Sequence, residues 1–206
     1  IFLISFFLFN SNLKSEEFNV VAEEVILNKD TKTLIGTGNV QATDLKGTII
    51  NADKITYKKE KEFLLAEGNV IITDKEGNIL KANKATYDKI NEIINTYENS
   101  EMYVKGGYKL LSQNILYNIN TRLLSSDNKS TFSDIDGNII ETSMFQYNIT
   151  NNLFSSVGKI KITDNKKNEY LFKEVYVDTN KKEMVGSDVS VVLDQANFGS
   201  NEKSDP

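Results

Sequence analysis

Hydrophobic positions in this chain recur every 30 residues without an insertion: "GNVIITDKEGNILKANKATY" (68–87) lies directly over "GNVQATDLKGTIINADKITY" (38–57). The frame extends in both directions. The order apolar, any, small or apolar, two of any, apolar, any, aromatic or apolar occurs six times, starting at Val20, Ile50, Leu80, Leu110, Ile140 and Tyr170. Ala22, Ala52 and Ala82 hold the small position of the first three copies. Further columns keep the step. Leu34, Leu64, Ile94, Leu124, Phe154 and Met184 are large, Gly36, Ala66, Thr96, Ser126, Ser156 and Gly186 are small, and Ala42, Ile72, Met102, Phe132, Ile162 and Val192 form a third set.

These segments are strands, because they are rich in Val, Ile, Thr, Tyr and Phe, alternate with period two, and are punctuated by Gly, Asn and Asp. The stretch "ANKATYDKINEIIN" (82–95) has a helical look, but its counterparts in later copies are Asn-rich and propensity does not make them helical. It is expected to be a strand, a turn and a second short strand. Within each copy the apolar parity changes once, and side chains on a strand alternate between faces, so both ends face inward only across a bulge or corner. That places a bend near Asp53 and Lys54 and at each equivalent position. The expectation is a single all-β domain, a repetitive β-jellyroll or β-roll of about six 30-residue rungs, twisted and partly open in a V. Each rung would hold two or three short strands, each paired with its counterpart one repeat away. At a strand spacing of roughly 4.8 Å, six such rungs give a body about 30 Å long. One rung alone does not bury enough to fold.

Turn chemistry runs in phase. Asp44, Asp74, Asp134, Asp164 and Asp194 stand three residues before the column Gly47, Gly77, Gly107, Gly137 or its replacements Lys167 and Asn197, and only Val104 breaks the Asp column. Asp followed by Gly at this spacing suits a tight turn whose carboxylate accepts backbone N–H bonds, and the dense Gly and Asp repeat of a calcium solenoid is missing, so no metal site is expected. The column Tyr57, Tyr87, Tyr117 and Tyr147 reads as a stacked ladder with rings inside and hydroxyls at a wet edge; an aromatic lining for a carbohydrate or lipid is the alternative.

Composition narrows the function. A net charge of -5 argues against nucleic-acid binding, which needs a basic face, and Arg122 is the sole arginine. Without cysteine or histidine there is no thiol or imidazole catalysis and no disulfide, so an enzyme would have to rely on carboxylates, Tyr, Lys or Ser. No cofactor motif and no catalytic pair stands out. The run "IFLISFFLF" (1–9) is too short to span a bilayer but matches the apolar core of a secretory signal, so residues 1–15 read as a truncated signal-like segment and the chain as exported. A buried first strand is the alternative. Residues 16–197 hold the repeat, and "FGSNEKSDP" (198–206) reads as a linker.

The repeated "A(D/N)K(I/A)TY" preceded by "GNV" and a "TD..G" turn resembles the OstA-like periplasmic domain shared by the lipopolysaccharide transport proteins LptA and LptD, over residues 18 to about 197. The closing segment looks like the one that leads toward an outer-membrane barrel, which favours the N-terminal domain of the LptD type over a free LptA-like carrier. The resemblance implies a non-enzymatic role at the periplasmic face of the outer membrane. It implies lipopolysaccharide acyl chains bound in an apolar groove, strand pairing with a periplasmic bridge protein, and an outer-membrane lipoprotein partner in a full-length protein. By position, the residues implied to touch acyl chains are Val20, Ala22, Ile50, Ala52, Ile72, Leu80, Ala82, Met102, Leu110, Phe132, Ile140 and Ile162. A solenoid enzyme acting on polysaccharide, or a structural repeat protein with a filled core, would share the periodicity.

Overall fold

The computed structural model describes residues 18–193, so the signal-like segment, Asp194 and the linker lie outside the described residues. Strands β1 (Phe18–Val21), β2 (Glu24–Asn28), β3 (Thr33–Asp44), β4 (Ile49–Lys58), β5 (Phe63–Thr73) and β6 (Ile79–Asp88) open the chain. β7 (Ile93–Tyr97), β8 (Ser100–Val104), β9 (Tyr108–Ser112), β10 (Leu116–Asn118), β11 (Leu123–Ser126) and β12 (Ser130–Ser133) follow. β13 (Ile139–Thr142), β14 (Phe145–Asn148), β15 (Leu153–Thr163), β16 (Glu169–Asp178), β17 (Glu183–Ser187) and β18 (Ser190–Val192) complete the sheet. Apart from a 3-10 turn at Lys59–Lys61, the described residues contain no helix. The segment 82–95 is strand, turn and strand, as its columns require.

Six of the strands are unbroken passes, and the other twelve join end to end in pairs, so the eighteen strands make twelve passes. Each pass is antiparallel to the one before and the one after. The pairing therefore differs from the expected one: a strand meets the neighbour half a repeat away, and each 30-residue unit is a hairpin. The physical reason is loop length. Turns of a few residues join antiparallel neighbours, whereas pairing equivalent strands side by side in parallel needs a crossover of a dozen residues or more. Twelve passes at roughly 4.8 Å also make the sheet about 50 Å long, not 30 Å.

The pairing interleaves two sequence columns into one ladder. Val20 lies opposite Ala42, Ala42 opposite Ile50, Ile50 opposite Ile72, and Ile72 opposite Leu80. The series continues through Met102, Leu110, Phe132, Ile140 and Ile162 to Tyr170. A second ladder runs through Leu34, Tyr57, Leu64, Tyr87, Ile94, Tyr117, Leu124, Tyr147, Phe154, Val177 and Met184.

The two ladders occupy different arms of each pass. Register shifts fall between Thr37 and Val40, Asn51 and Lys54, Glu67 and Val70, and Val157 and Ile160, where each strand turns its corner. Asp53 and Lys54 lie inside one of these corners, as the parity change requires. On the neighbouring pass the corner is Gly68-Asn69, both with positive φ, and a Cβ on Gly68 would collide with the Asp53 side chain, so glycine is needed there. The corners fold the sheet into a V whose arms share one core. Near the corners space tapers, and large residues face small ones: Ile55 opposes both Gly36 and Ala66, and Val175 opposes both Ser156 and Gly186. Leu64 is fully buried at the heart of this packing. Leu64→Ala is expected to cost about 2–5 kcal/mol, read as a lower urea midpoint with an unchanged slope.

Candidate functional site

The free ends of the arms, where the turns are, form the mouth of the V. The Asp column builds one lip. Asp44 Oδ1 accepts the backbone N–H groups of Lys46 and Thr48, both at 2.8 Å, and Asp74 Oδ1 accepts those of Glu76 at 2.9 Å and Asn78 at 3.0 Å. Asp134 and Asp164 cap their turns in the same way. The second oxygen of each of the first two carboxylates reaches across the mouth. The Tyr87 hydroxyl sits between two carboxylates, 2.6 Å from Glu92 Oε2 and 3.2 Å from Asp44 Oδ2, and the Tyr117 hydroxyl donates to Asp74 Oδ2 at 2.9 Å. Tyr87 and Tyr117 are buried with their hydroxyls satisfied by carboxylates, which corrects the expectation of a wet edge for these two.

Ion pairs join the lips at a constant separation of 46 residues. Lys46 meets Glu92 at 2.7 Å, Arg122 meets Glu76, and Lys182 meets Asp136 at 2.7 Å. Lys89 adds a buried link, 2.5 Å from Glu92 and 3.2 Å from Asp44. Burial pushes the Glu92 carboxyl up, but hydrogen bonds from Lys46, Lys89 and Tyr87 outweigh it and hold Glu92 below the usual carboxylate range. Asp74 is likewise pushed up by burial and held lower by Asn78, Tyr117 and Glu76. Burial, with Glu92 and Asp44 beside it, raises the Tyr87 phenol far above its ordinary value, so it stays protonated, and its oxygen accepts from Lys89 Nζ at 3.3 Å.

Among the described residues the clasp fails once. The position equivalent to Lys46, Glu76 and Asp136 is Gly106, and its opposite number is Asn152, which cannot form an ion pair. In the Asp-to-Tyr series Val104 stands where a carboxylate would meet Tyr147, and Val177 stands where a tyrosine would meet Asp134. A cavity of about 590 Å³ opens at this place. Phe132, Ile140, Ile162 and Tyr170 from the first ladder, Val177 and Met184 from the second, and Tyr108 form its apolar walls. Tyr108 bridges the arms, stacked on Phe132 at 5.3 Å and donating its hydroxyl to the Thr179 carbonyl at 2.8 Å. Lys105, Asp134, Asp136, Asp164, Lys182 and Glu183 are also among the lining residues.

The residues singled out from sequence fall into three groups. Val20 and Ala22 are half-buried at the N-terminal edge. Ile50, Ala52, Ile72, Leu80, Ala82, Met102 and Leu110 are buried and do not line the cavity. Phe132, Ile140 and Ile162 are brought together in the cavity wall. Sequence reasoning missed Tyr108, Asn152, Val177 and Lys182. The break at Val104 was visible, as was the loss of tyrosine at Val177, but their opposite numbers across the mouth were not.

Comparison with known proteins adds little. No protein-family model and no curated relative matches the chain. Among solved structures, LptH, the LptA homologous periplasmic component of the lipopolysaccharide transport device of Pseudomonas aeruginosa, aligns at 14% identity over 86% of this chain and 94% of that one, with a TM-score of 0.28. The TCP10 domain of Danio rerio CPAP aligns at 9% identity over 85% of this chain and 100% of that one, with a TM-score of 0.19. Neither superposition is close enough to carry an argument.

Because the Glu92 and Asp74 values are depressed in the folded protein, their contribution to stability is present above the ordinary carboxylate range, near pH 4, and is lost as pH falls through the depressed values. Glu92→Gln is expected to cost about 1.5–3 kcal/mol at pH 7 and to flatten the acid limb of stability, measured as urea midpoint against pH.

Proposed function

We propose that this chain is an exported module of lipopolysaccharide transport, which shelters acyl chains between its two arms and passes them along by docking edge to edge with a periplasmic bridge domain. The observation that carries the reading is the apolar cavity between the arms, open at the mouth and walled by Phe132, Ile140 and Ile162. They are three of the twelve positions that the resemblance implies touch acyl chains.

The edges support the second half of the reading. Val25, Ile26 and Leu27 on β2, Val185 on β17, and Val191 and Val192 on β18 are exposed apolar residues on the first and last passes. Each of these passes pairs on one side only among the described residues. Unpaired backbone groups flanked by apolar side chains suit strand addition by a partner domain. The role of an LptD-type domain at the periplasmic face of the outer membrane, with a lipoprotein partner, belongs to this same proposal.

Purification under gentle conditions from a lipopolysaccharide-making host, followed by native mass spectrometry, is expected to show bound acylated lipid. Protein that is folded and always lipid-free would instead support a structural repeat. Replacing both Ile26 and Leu27 with Lys, or both Val185 and Val191 with Lys, is expected to abolish co-elution with the host's bridge protein while shifting stability by no more than about 0.5 kcal/mol per site. Unchanged co-elution of both variants would remove the docking half of the proposal.

A further inference from the structure

We infer that the column breaks at Val104, Gly106, Asn152 and Val177 create a port for one unbranched apolar chain, latched by the Asp136–Lys182 pair, and that the clasped remainder of the mouth admits no lipid. The inference rests on the reading above that the chain handles acylated lipid, and it places the entry point. Two rungs show what a sealed mouth looks like. Tyr87 fills the space beneath Asp44, Tyr117 fills that beneath Asp74, and each rung also carries an ion pair 46 residues apart, Lys46–Glu92 and Glu76–Arg122. Beside these two rungs Ile50, Ile72 and Leu80 are almost without solvent exposure, and none of them lines the cavity.

Beneath Asp134 the ring is replaced by Val177, and the missing volume is part of the cavity. On one side of this cavity the cross-mouth pair is replaced by Gly106 and Asn152, which line it without joining it. On the other side stands Asp136–Lys182, both residues largely exposed, at 2.7 Å. An exposed ion pair is weak and screened by salt, so it opens at little cost. The buried Lys89–Glu92–Asp44 network does not.

The size of the cavity limits the guest. A methylene takes up roughly 30 Å³, so a cavity of about 590 Å³ is on the scale of a single chain of ordinary membrane length. Its walls are aliphatic and aromatic, whereas charged groups stand around it at Lys105, Asp134, Asp136, Lys182 and Glu183. The chain enters tail first with its polar end left at this charged rim. Ile135, exposed beside the opening, offers the first apolar contact.

The test uses the full chain and a fluorescent hexadecanoate carrying a diazirine at the tail, with adducts mapped by mass spectrometry. Adducts are expected on Phe132, Ile140, Ile162 and Val177 and not on Ile50 or Leu80. Val177→Tyr restores the missing ring, and it is expected to lower uptake at least tenfold with a thermal midpoint equal to or above that of the parent. If that variant does not fold, Ile140→Trp fills the same space from the facing wall and carries the same expectation. Lys182→Ala, or raised salt with the parent chain, is expected to speed uptake at least twofold. Adducts spread over Ile50 and Leu80, or uptake indifferent to both filling variants, would overturn the port while leaving a lipid-handling role intact. Uptake rates indifferent to Lys182→Ala and to salt would overturn the latch. A parent chain that takes up no probe and carries no lipid from its host would overturn both this inference and the function it rests on.

Discussion

Everything in this structure depends on the corner in the middle of each pass. A strand presents alternate side chains to opposite faces, so a long straight pass buries one face along its whole length and leaves a flat sheet with nothing to cover it. The corner skips the parity, turns both halves of the pass inward, and lets a single meander act as its own covering layer. Gly68 and Asn69 at positive φ, packed against the Asp53 side chain, show the local requirement. Because every corner falls at an equivalent position, the arms line up, and apolar columns that are far apart in sequence become two continuous ladders facing one core.

The mouth is the consequence. Arms that close on themselves at the corners diverge at the turns, and something must hold the turns together or leave them apart. This chain does both. Two of its turn-capping aspartates, Asp44 and Asp74, are used twice, one oxygen for the backbone of their own turn and the other facing a tyrosine from the opposite arm, which brings a buried phenol and a buried carboxylate together in one contact. Where that pairing is absent, Tyr108 and the exposed Asp136–Lys182 pair link the arms across an apolar floor. Closure and opening therefore come from the same repeat, with single-residue departures deciding which occurs at a given rung.

The all-β class, the 30-residue repeat, the corner near Asp53 and Lys54 and the turn-capping role of Asp44 and Asp74 were legible in the sequence because each is enforced within a few residues by alternation or turn chemistry. The pairing partner was not. A column every 30 residues is compatible with stacking like on like, and only the short turns, once seen to connect adjacent passes, reveal that Ile50 lies between Ala42 and Ile72. The hydroxyls of Tyr87 and Tyr117 were misplaced for a related reason. A tyrosine column shows that rings stack, but the acceptor is 43 residues away on another arm.

By itself, then, the sequence determined what each residue does to its neighbours: which positions point inward, where a pass bends, and where a turn closes. The tertiary structure alone decided which turn faces which. Lys46 lies in the turn between the second and third passes, and Glu92 lies between the fifth and sixth, so the two arms meet with a stagger of three passes. Paired strands twist and corner together, so such an offset is a property of the whole sheet and not of any segment. It sets the 46-residue spacing of the clasps, and it brings Gly106 opposite Asn152 and Val177 beneath Asp134.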